Sequence, residues 1–562
     1  MRLVVLTIAV AAALGLSAPA ESATYYVSTS GSDAATGTAS TSAWRTVNRV
    51  NRASLVSGDS VLFQGGQTFS DETLMPSISG TSSAPIRYSS YGTGQANLSR
   101  GVWMLSVHDL VFNNIAVIGS DQTVQGIAST ASGSGVANIT IQNSTLRMLS
   151  IGVNLPNAND TNWTIKNNEI TQIGDSGLII QGNNVRIDSN VITNVGQNRS
   201  ITYGKHGIYA KGPNIEVSGN TITGFSDSGV SIRYQNDVVM NNLISNGPEG
   251  VSYFQYSSAG GTSVIAYNRI ENVTAAGIYL DPSTVESFVI ANNSIQTTAG
   301  AGMDLRTVRN LTVANNAVFG TSTFALRAQS PTGSYSEHHN LWYSDYGAVL
   351  LWNGTTSTIA AYKSRSGQGA NDLSVKLLVD ASFAPSAGSP LVDQGTASVT
   401  NLTFSAACDG LPMHYCGTAP DIGAVESLTN TVLTPAPVVD EIAPTVAIKK
   451  NPVNGKKKSR RSIRVIAMAS DLSGIRSVAF AIDRKTVCTR TRAPFRCAMS
   501  LKKGTRTIVV RAIDKAGNVA SASVRARSKV KSRHAVDGAK KKKVTRAKKG
   551  THCARAHHRR HR

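Results

Sequence analysis

At 562 residues the chain is too long for one compact core, which leaves several domains or an elongated repeat array. With 41% hydrophobic and 16% charged residues it does not have the composition of a disordered polymer. The formal charge of +22 would suit a nucleic-acid binder, but residues 1–439 hold 20 Lys/Arg against 27 Asp/Glu, net −7, while residues 440–562 hold 35 against 6, net +29. The excess belongs to the C-terminal part, so no specific nucleic-acid binding is expected of the rest.

In chain order, Arg2, the apolar run LVVLTIAVAAALGLS and the small residues APA read as a secretory signal over residues 1–20, cut after Ala20 or Ala23. The run is short for a membrane span, so the mature chain is expected without a transmembrane segment and secreted, extracellular or attached to the cell surface. From Trp163 one phrase recurs: WTIKNNEITQI, VRIDSNVITNV, IEVSGNTITGF, VVMNNLISNG, VIAYNRIENV, FVIANNSIQTT, LTVANNAVFG. Each is a short alternating strand, an Asn-bearing bend and another strand. The Asn residues are Asn168, Asn190, Asn220, Asn242, Asn268, Asn293, Asn316 and Asn340, in steps of 22, 30, 22, 26, 25, 23 and 24 residues. A period in this range means a solenoid, with Val, Ile and Leu inside and parallel strands stacked about 4.8 Å apart. Asn at the bend suits a left-handed backbone and offers amides that can bond from rung to rung.

This Asn-bend repeat resembles the right-handed parallel β-helix of the pectate lyase-like superfamily. TYYVSTSGSDAATGTASTSAWRTVNRVN looks like the N-terminal cap of secreted members, and SPLVDQGT with APDIGAVE like their closing segment, so the β-helix is expected over residues 21–427. The resemblance implies an all-β fold and a carbohydrate-related role without naming a reaction. A Pro-bearing linker, residues 428–443, leads to residues 444–528, where SIRVIAMASDLSGIRSVAFAID and TRTIVVRAIDKAGNVASASV predict about seven strands of a β-sandwich. These phrases resemble bacterial immunoglobulin-like modules. Residues 529–562 are too basic and too poor in apolar residues to fold, and read as a disordered tail suited to an anionic cell envelope. Cys408 with Cys416 and Cys488 with Cys497 are spaced for two small disulfide loops in an oxidising compartment, leaving Cys553 over. A monomer is expected.

Aligning the strands GLIIQ, GIYAK, GVSIR, GVSYF, GIYLD and GMDLR puts two rows of side chains on the outer face. One reads Ile179, Tyr209, Ser231, Ser252, Tyr279, Asp304; the next reads Gln181, Lys211, Arg233, Phe254, Asp281, Arg306 and then Arg327. The long step from Asn190 to Asn220 places GQNRSITYGKHG before Tyr209, so Tyr203, Lys205 and His206 are expected to overhang the face, and SNGPEGVSYFQYSSAGGTS reads as a second insertion near Phe254. Four cations and the rings of Tyr209, Phe254 and Tyr279 suit an acidic polysaccharide. In one reading Arg233 and Arg306 neutralise a uronate carboxylate, Lys211 removes the C5 proton, and Tyr209 or His206 protonates the leaving oxygen. The resemblance implies that calcium is a possible cofactor, for which Asp281 and Asp304 are the acidic pair on this face. In a second reading those two aspartates act as acid and base of an inverting glycosidase, at a separation on the order of 8 Å. Against it, Arg306 stands opposite Asp281, where an ion pair accounts for both. A third reading is a surface protein that binds carbohydrate without cleaving it.

Overall fold

The computed structural model describes residues 22–427 and 443–528, apart from residues 199–203, 257–258, 322, 345–348, 377–382, 387–388, 453–460, 472–473, 502–503 and 516. The leader, the linker and the basic tail with Cys553 lie outside the described residues. The chain forms two compact units that divide after Val432.

The first unit is a β-solenoid built of three strand columns. The opening strands of successive turns pair in parallel as a 13-stranded sheet, from Thr24–Val27 to Tyr335–His338. The two later columns merge into a 22-stranded sheet, because the strands Leu243–Tyr253 and Arg269–Leu280 run through the bend between them. Alternation of apolar and polar residues sends every second side chain inward, and the in-register pairing stacks like on like. One column reads Val61, Tyr88, Phe112, Ile141, Ile165, Ile187, Val217, Val239, Ile265, Ile290, Val313. Its next position is Glu337, which ends the apolar stack.

Each turn is fixed by its Asn. The eight expected residues are all buried, and from Asn168 to Asn316 each side-chain amide donates to Oδ1 of the next at 2.9–3.0 Å. That same Oδ1 also accepts the backbone N–H of the residue before it in the ladder, as from Asn220 N to Asn242 at 2.9 Å. The ladder starts at Ser144 and ends on Asp372. The left-handed backbone, however, does not fall on these residues. It falls on the one preceding: Asn167, Ser189, Gly219, Asn241, Tyr267, Asn292, Asn315 and His339, with φ between 52° and 66°. That residue turns the chain and thereby points the following Asn inward.

A glycine opens each strand of the third column for a steric reason. A Cβ on Gly207 would lie 2.5 Å from the Gly229 carbonyl and 2.5 Å from Ile222, and one on Gly229 would lie 2.3 Å from Ile244. The N-terminal end is closed by Trp44, stacked on Tyr25 at 4.6 Å, and by the helix Val47–Asn51 capped by Thr46. Near the other end, Glu337 and Asp372 sit buried, both accepting from the indole of Trp342 at 3.1 and 3.0 Å. Burial, and next the charge of Asp372, hold the Glu337 carboxyl well above the ordinary glutamate range. The segment after residue 390 packs back on the solenoid through Val399 and Leu402, and carries the disulfide Cys408–Cys416.

The second unit has its own core, including Val465, Phe480, Met499 and Val510, between a three-stranded and a four-stranded antiparallel sheet. Cys488 and Cys497, on strands of different sheets, form the second disulfide. No described helix is long and apolar enough to cross a membrane.

Two outcomes follow. Asn242→Ala removes three donations, to Val217 O, Met240 O and Asn268, and strands the amides of Asn220; chemical denaturation is expected to show a loss of about 3–5 kcal/mol. Glu337 holds its proton more tightly folded than unfolded, so its contribution to stability is full below about pH 4.5 and is lost as pH rises toward its elevated folded value. Glu337→Gln should flatten the fall of Tm as pH rises above the ordinary glutamate range; an unchanged slope would show that the carboxyl is not held protonated in the fold.

Candidate functional site

Backbone pairing aligns Ile179, Tyr209, Ser231, Ser252, Tyr279 and Asp304 in one row. The row continues N-terminally through Asn154 and Ala128 to Trp103, which is half exposed. At its other end the next member is Arg327, paired with Asp304. Arg327 therefore belongs to the row of Tyr209 and not to that of Lys211, where its expected place is filled by Gln329.

Register and exposure part company along the row. Ser231 and Ser252 are 0% exposed and Asp304 is 6% exposed, because longer side chains on neighbouring rungs, spaced about 4.8 Å apart, close over short ones. The two insertions also differ from expectation. Tyr203 lies outside the described residues, but Lys205 and His206 do not overhang the face: Lys205 is buried and donates to the carbonyls of Gly196 at 3.3 Å and Asn198 at 2.5 Å. His206 is 1% exposed and packs against the Tyr209 ring at 4.6 Å. Burial, with a smaller contribution from Arg233, pushes its pKa down to about 3, so it is a neutral imidazole and no acid at ordinary pH. The first nine residues of the second insertion, 245–253, belong to the strand Leu243–Tyr253, continuous with the sheet.

The four cations fall into two groups. Arg306 turns to Asp304 on its own strand, with Nε and Nη2 at 2.9 and 3.1 Å, and Arg327 Nη1 reaches the same carboxylate at 3.0 Å. The ion pair expected between Arg306 and Asp281 is replaced by this trio, and Asp281 instead accepts the Tyr279 hydroxyl at 3.0 Å. The trio has two consequences. Asp304 has both oxygens held by guanidinium groups, which unfits the Asp281–Asp304 pair for hydrolysis and as calcium ligands, and no group of three metal-ligating side chains occurs among the described residues. Tyr279 is likewise no ready acid: burial first, then Asp281, pushes its pKa up to about 12.

Lys211 and Arg233 form the second group and make no ion pair among the described residues. They share an aromatic bed. Lys211 Nζ lies 5.2 Å from the centre of the Tyr209 ring and 5.9 Å from that of Tyr256; the Arg233 guanidinium lies 5.0 Å from Tyr209 and 4.5 Å from Phe254. Burial, and then the charge of Arg233, hold the Lys211 ammonium below the ordinary lysine range. Tyr256 is 68% exposed and Tyr234 lies 5.8 Å from it, so an open ring surface adjoins the cations.

Two acids at the upstream end of these strands escape a reading that starts from outward rows. Asp227 Oδ2 lies 4.0 Å from His206 Nδ1, and Glu249 accepts from Ser228 Oγ at 3.1 Å. Burial pushes Glu249 up to about 6, with Asp227 the next cause, and burial also raises Asp227. Glu249 immediately precedes Gly250 and Asp227 stands two residues before Gly229, and an acid one or two residues ahead of the glycine was the available signal.

Residues 151–318 match the model of the right handed beta helix region, and residues 444–510 that of the bacterial Ig domain. No curated protein matches the chain. Among solved structures, the chain is similar to pectate lyase Pel9A at 15% identity, over 72% of this chain and 96% of that one, with a TM-score of 0.39. It is similar to an alginate lyase from Paenibacillus sp. str. FPU-7 at 15% identity, over 56% and 97%, with a TM-score of 0.34. A GH136 lacto-N-biosidase from Eubacterium ramulus is similar at 14% identity, over 63% and 68%, with a TM-score of 0.36. These likenesses, at such identities and scores, bear on no reaction. The chain is a right-handed parallel β-helix protein with a bacterial immunoglobulin-like domain following it.

Proposed function

We propose that this is a secreted carbohydrate-active protein that binds an acidic polysaccharide along the Tyr209 row and cleaves it by β-elimination. The observation that carries the reading is the pair Lys211 and Arg233: two cations without a carboxylate partner among the described residues, seated on one tyrosine ring, with the lysine's proton affinity lowered. A uronate supplies the missing anion. Its carboxylate accepts from the Arg233 guanidinium, which spreads the charge that develops when the C5 proton leaves. The neutral amine of Lys211 takes that proton, the electron pair forms the C4–C5 double bond, and the C4–O bond breaks. The hydroxyl of Tyr209, whose ring both cations adjoin, gives a proton to the departing oxygen. Tyr256, Tyr234 and Phe254 offer faces on which neighbouring sugar rings stack. Arg306 and Arg327 share the single carboxylate of Asp304, which offsets one of their two charges and pins both side chains, so they contribute less charge to binding. The basic tail adds electrostatic retention at an anionic envelope.

Incubation with pectate, alginate and chondroitin sulfate is expected to yield unsaturated ends that absorb in the ultraviolet for at least one of them; new reducing ends without absorbance, or retention without cleavage, would overturn the reaction. Lys211→Ala and Arg233→Ala should each lower the elimination rate by about 10²–10³-fold, and wild-type rates in either would remove the assigned roles. Activity should rise with pH as Lys211 loses its proton, with a midpoint below that of an ordinary lysine. Arg233→Ala removes a repelling charge, so the Lys211 titration followed by NMR should move to higher pH; no movement would show that Arg233 does not act on it.

A further inference from the structure

The second unit is itself strongly basic, apart from the tail that follows it. Residues 443–528 hold 21 Lys/Arg against 3 Asp/Glu, net +18, whereas residues 529–562 hold 14 against 1, net +13. Two of the three acids serve the fold: Asp514 is buried and accepts the N–H groups of Gly517 and Asn518 at 2.6 and 2.8 Å, and Asp483 holds Arg506 Nη1 at 3.0 Å. On the three-stranded sheet, Lys449, Ile466 and Arg496 pair across neighbouring strands, with Arg464 two residues along from Ile466. Val465, Ala467 and Cys497 point into the core, so by alternation these four point to solvent. Lys449, Arg464 and Arg496 are exposed, stand about 8–10 Å apart at their Cα atoms by strand spacing, and have no ion-pair partner among the described residues.

Cations continue around the unit. Arg511 and Arg525 are exposed on the outer face of the four-stranded sheet, opposite Ser521 and Thr507, and Arg490 and Arg492 are exposed where the chain crosses from one sheet to the other. Two carbonyls orient the Arg490 guanidinium there, Arg496 O through Nε and Thr489 O through Nη1, both at 3.1 Å. The exposed large apolar side chains are scattered among the described residues, Met468 on one sheet, Val487 and Val519 on opposite edge strands of the other, and form no single face for lipid insertion. Residues 443–528 contain no Tyr or Trp, and both phenylalanines, Phe480 and Phe495, are in the core, so no ring is offered on which a sugar or a base could stack.

We propose that the immunoglobulin-like unit is a polyanion-binding module, in which Lys449, Arg464 and Arg496 are the centre of a cationic shell that holds an extended anionic polymer. A bilayer meets one face of a body, whereas a flexible polymer can follow the cations from one sheet, past Arg490 and Arg492, to the other. Without an aromatic platform the unit reads the density of negative groups and not the sugar or base that bears them, and its guanidinium groups suit carboxylate and phosphate alike. This role belongs to the folded unit and not to the tail, and it is independent of any reaction on the solenoid.

The test compares the full chain with a chain ending at Ser528, which loses the tail and keeps both units, and measures binding of inorganic polyphosphate by calorimetry over a series of salt concentrations. Binding should survive removal of the tail and weaken steeply with salt. In the chain ending at Ser528, Lys449→Ala, Arg464→Ala and Arg496→Ala together should weaken binding at low salt by about tenfold or more and lower the slope of log K against log salt by about 2–3, as three anion contacts are lost. Arg464→Lys with Arg496→Lys, which keeps the charge, should leave the slope unchanged. Dextran sulfate should bind with a similar salt dependence and uncharged dextran should not bind. Loss of all binding with the tail, a slope unmoved by the triple alanine variant, or tighter binding to phosphatidylglycerol vesicles than to polyphosphate would each overturn the module. Anion binding by the solenoid is common to every arm, so absence of unsaturated products from the wild-type protein would overturn the elimination reading and leave these comparisons standing.

Discussion

The asparagine ladder is the interaction on which the rest depends. A parallel β-solenoid has no sequence-local way to set the height of one turn above the next, because its strands are short and its backbone bonds run between turns. From Asn168 to Asn316 the buried amide supplies that measure: Oδ1 accepts from the turn before, Nδ2 donates to the turn after, and further donations tie it to carbonyls such as Ile187 O and Val217 O. Satisfied in this way, a polar group at the core boundary strengthens the stack, whereas one with a partner missing would weaken it by several kcal/mol. Insertions are then confined to places where the ladder is not interrupted. The 30-residue step from Asn190 to Asn220 lengthens the chain outside the ladder while the amides still meet at 3.0 Å.

Because the ladder keeps every rung in register, side chains far apart in sequence become neighbours at rung spacing, and the electrostatics of the face follow from it. Asp304 collects Arg306 and Arg327 and offsets one of their two charges, while Lys211 and Arg233, three and two rungs away from Tyr279, lie over aromatic rings and make no ion pair among the described residues. Burial first, and then the charge of Arg233, lowers the proton affinity of Lys211, while burial first, and then the charge of Asp227, raises that of Glu249. The wall has cations at one end of its strands and carboxylates at the other. Local crowding, and not the overall charge of the chain, determines this character.

Much of the architecture was legible in the residues themselves. The Asn period, the inward Ile and Val and the strand-opening glycines are each a local pattern with a single structural solution, and the row from Ile179 to Asp304 follows from them by counting. The misreadings share a cause. Placing the left-handed bend on the ladder Asn confused the residue that turns the chain with the one that profits from the turn. Assigning Arg306 to Asp281 treated position across strands as a contact, although a flexible arginine reaches a carboxylate two residues back with better geometry. Taking Lys205 and His206 as overhanging groups assumed that extra chain length must project, when this part of it folds back and buries them.

What the sequence determined by itself is what depends on periodicity: the solenoid, its core, the second all-β unit, and which residues share a row. What only the tertiary structure decided is which members of a row are accessible, paired or orphaned. Alternation at period two specifies a direction for each side chain, but exposure and partnership depend on the sizes and charges of the residues one rung above and below, some 22 to 30 positions away along the chain.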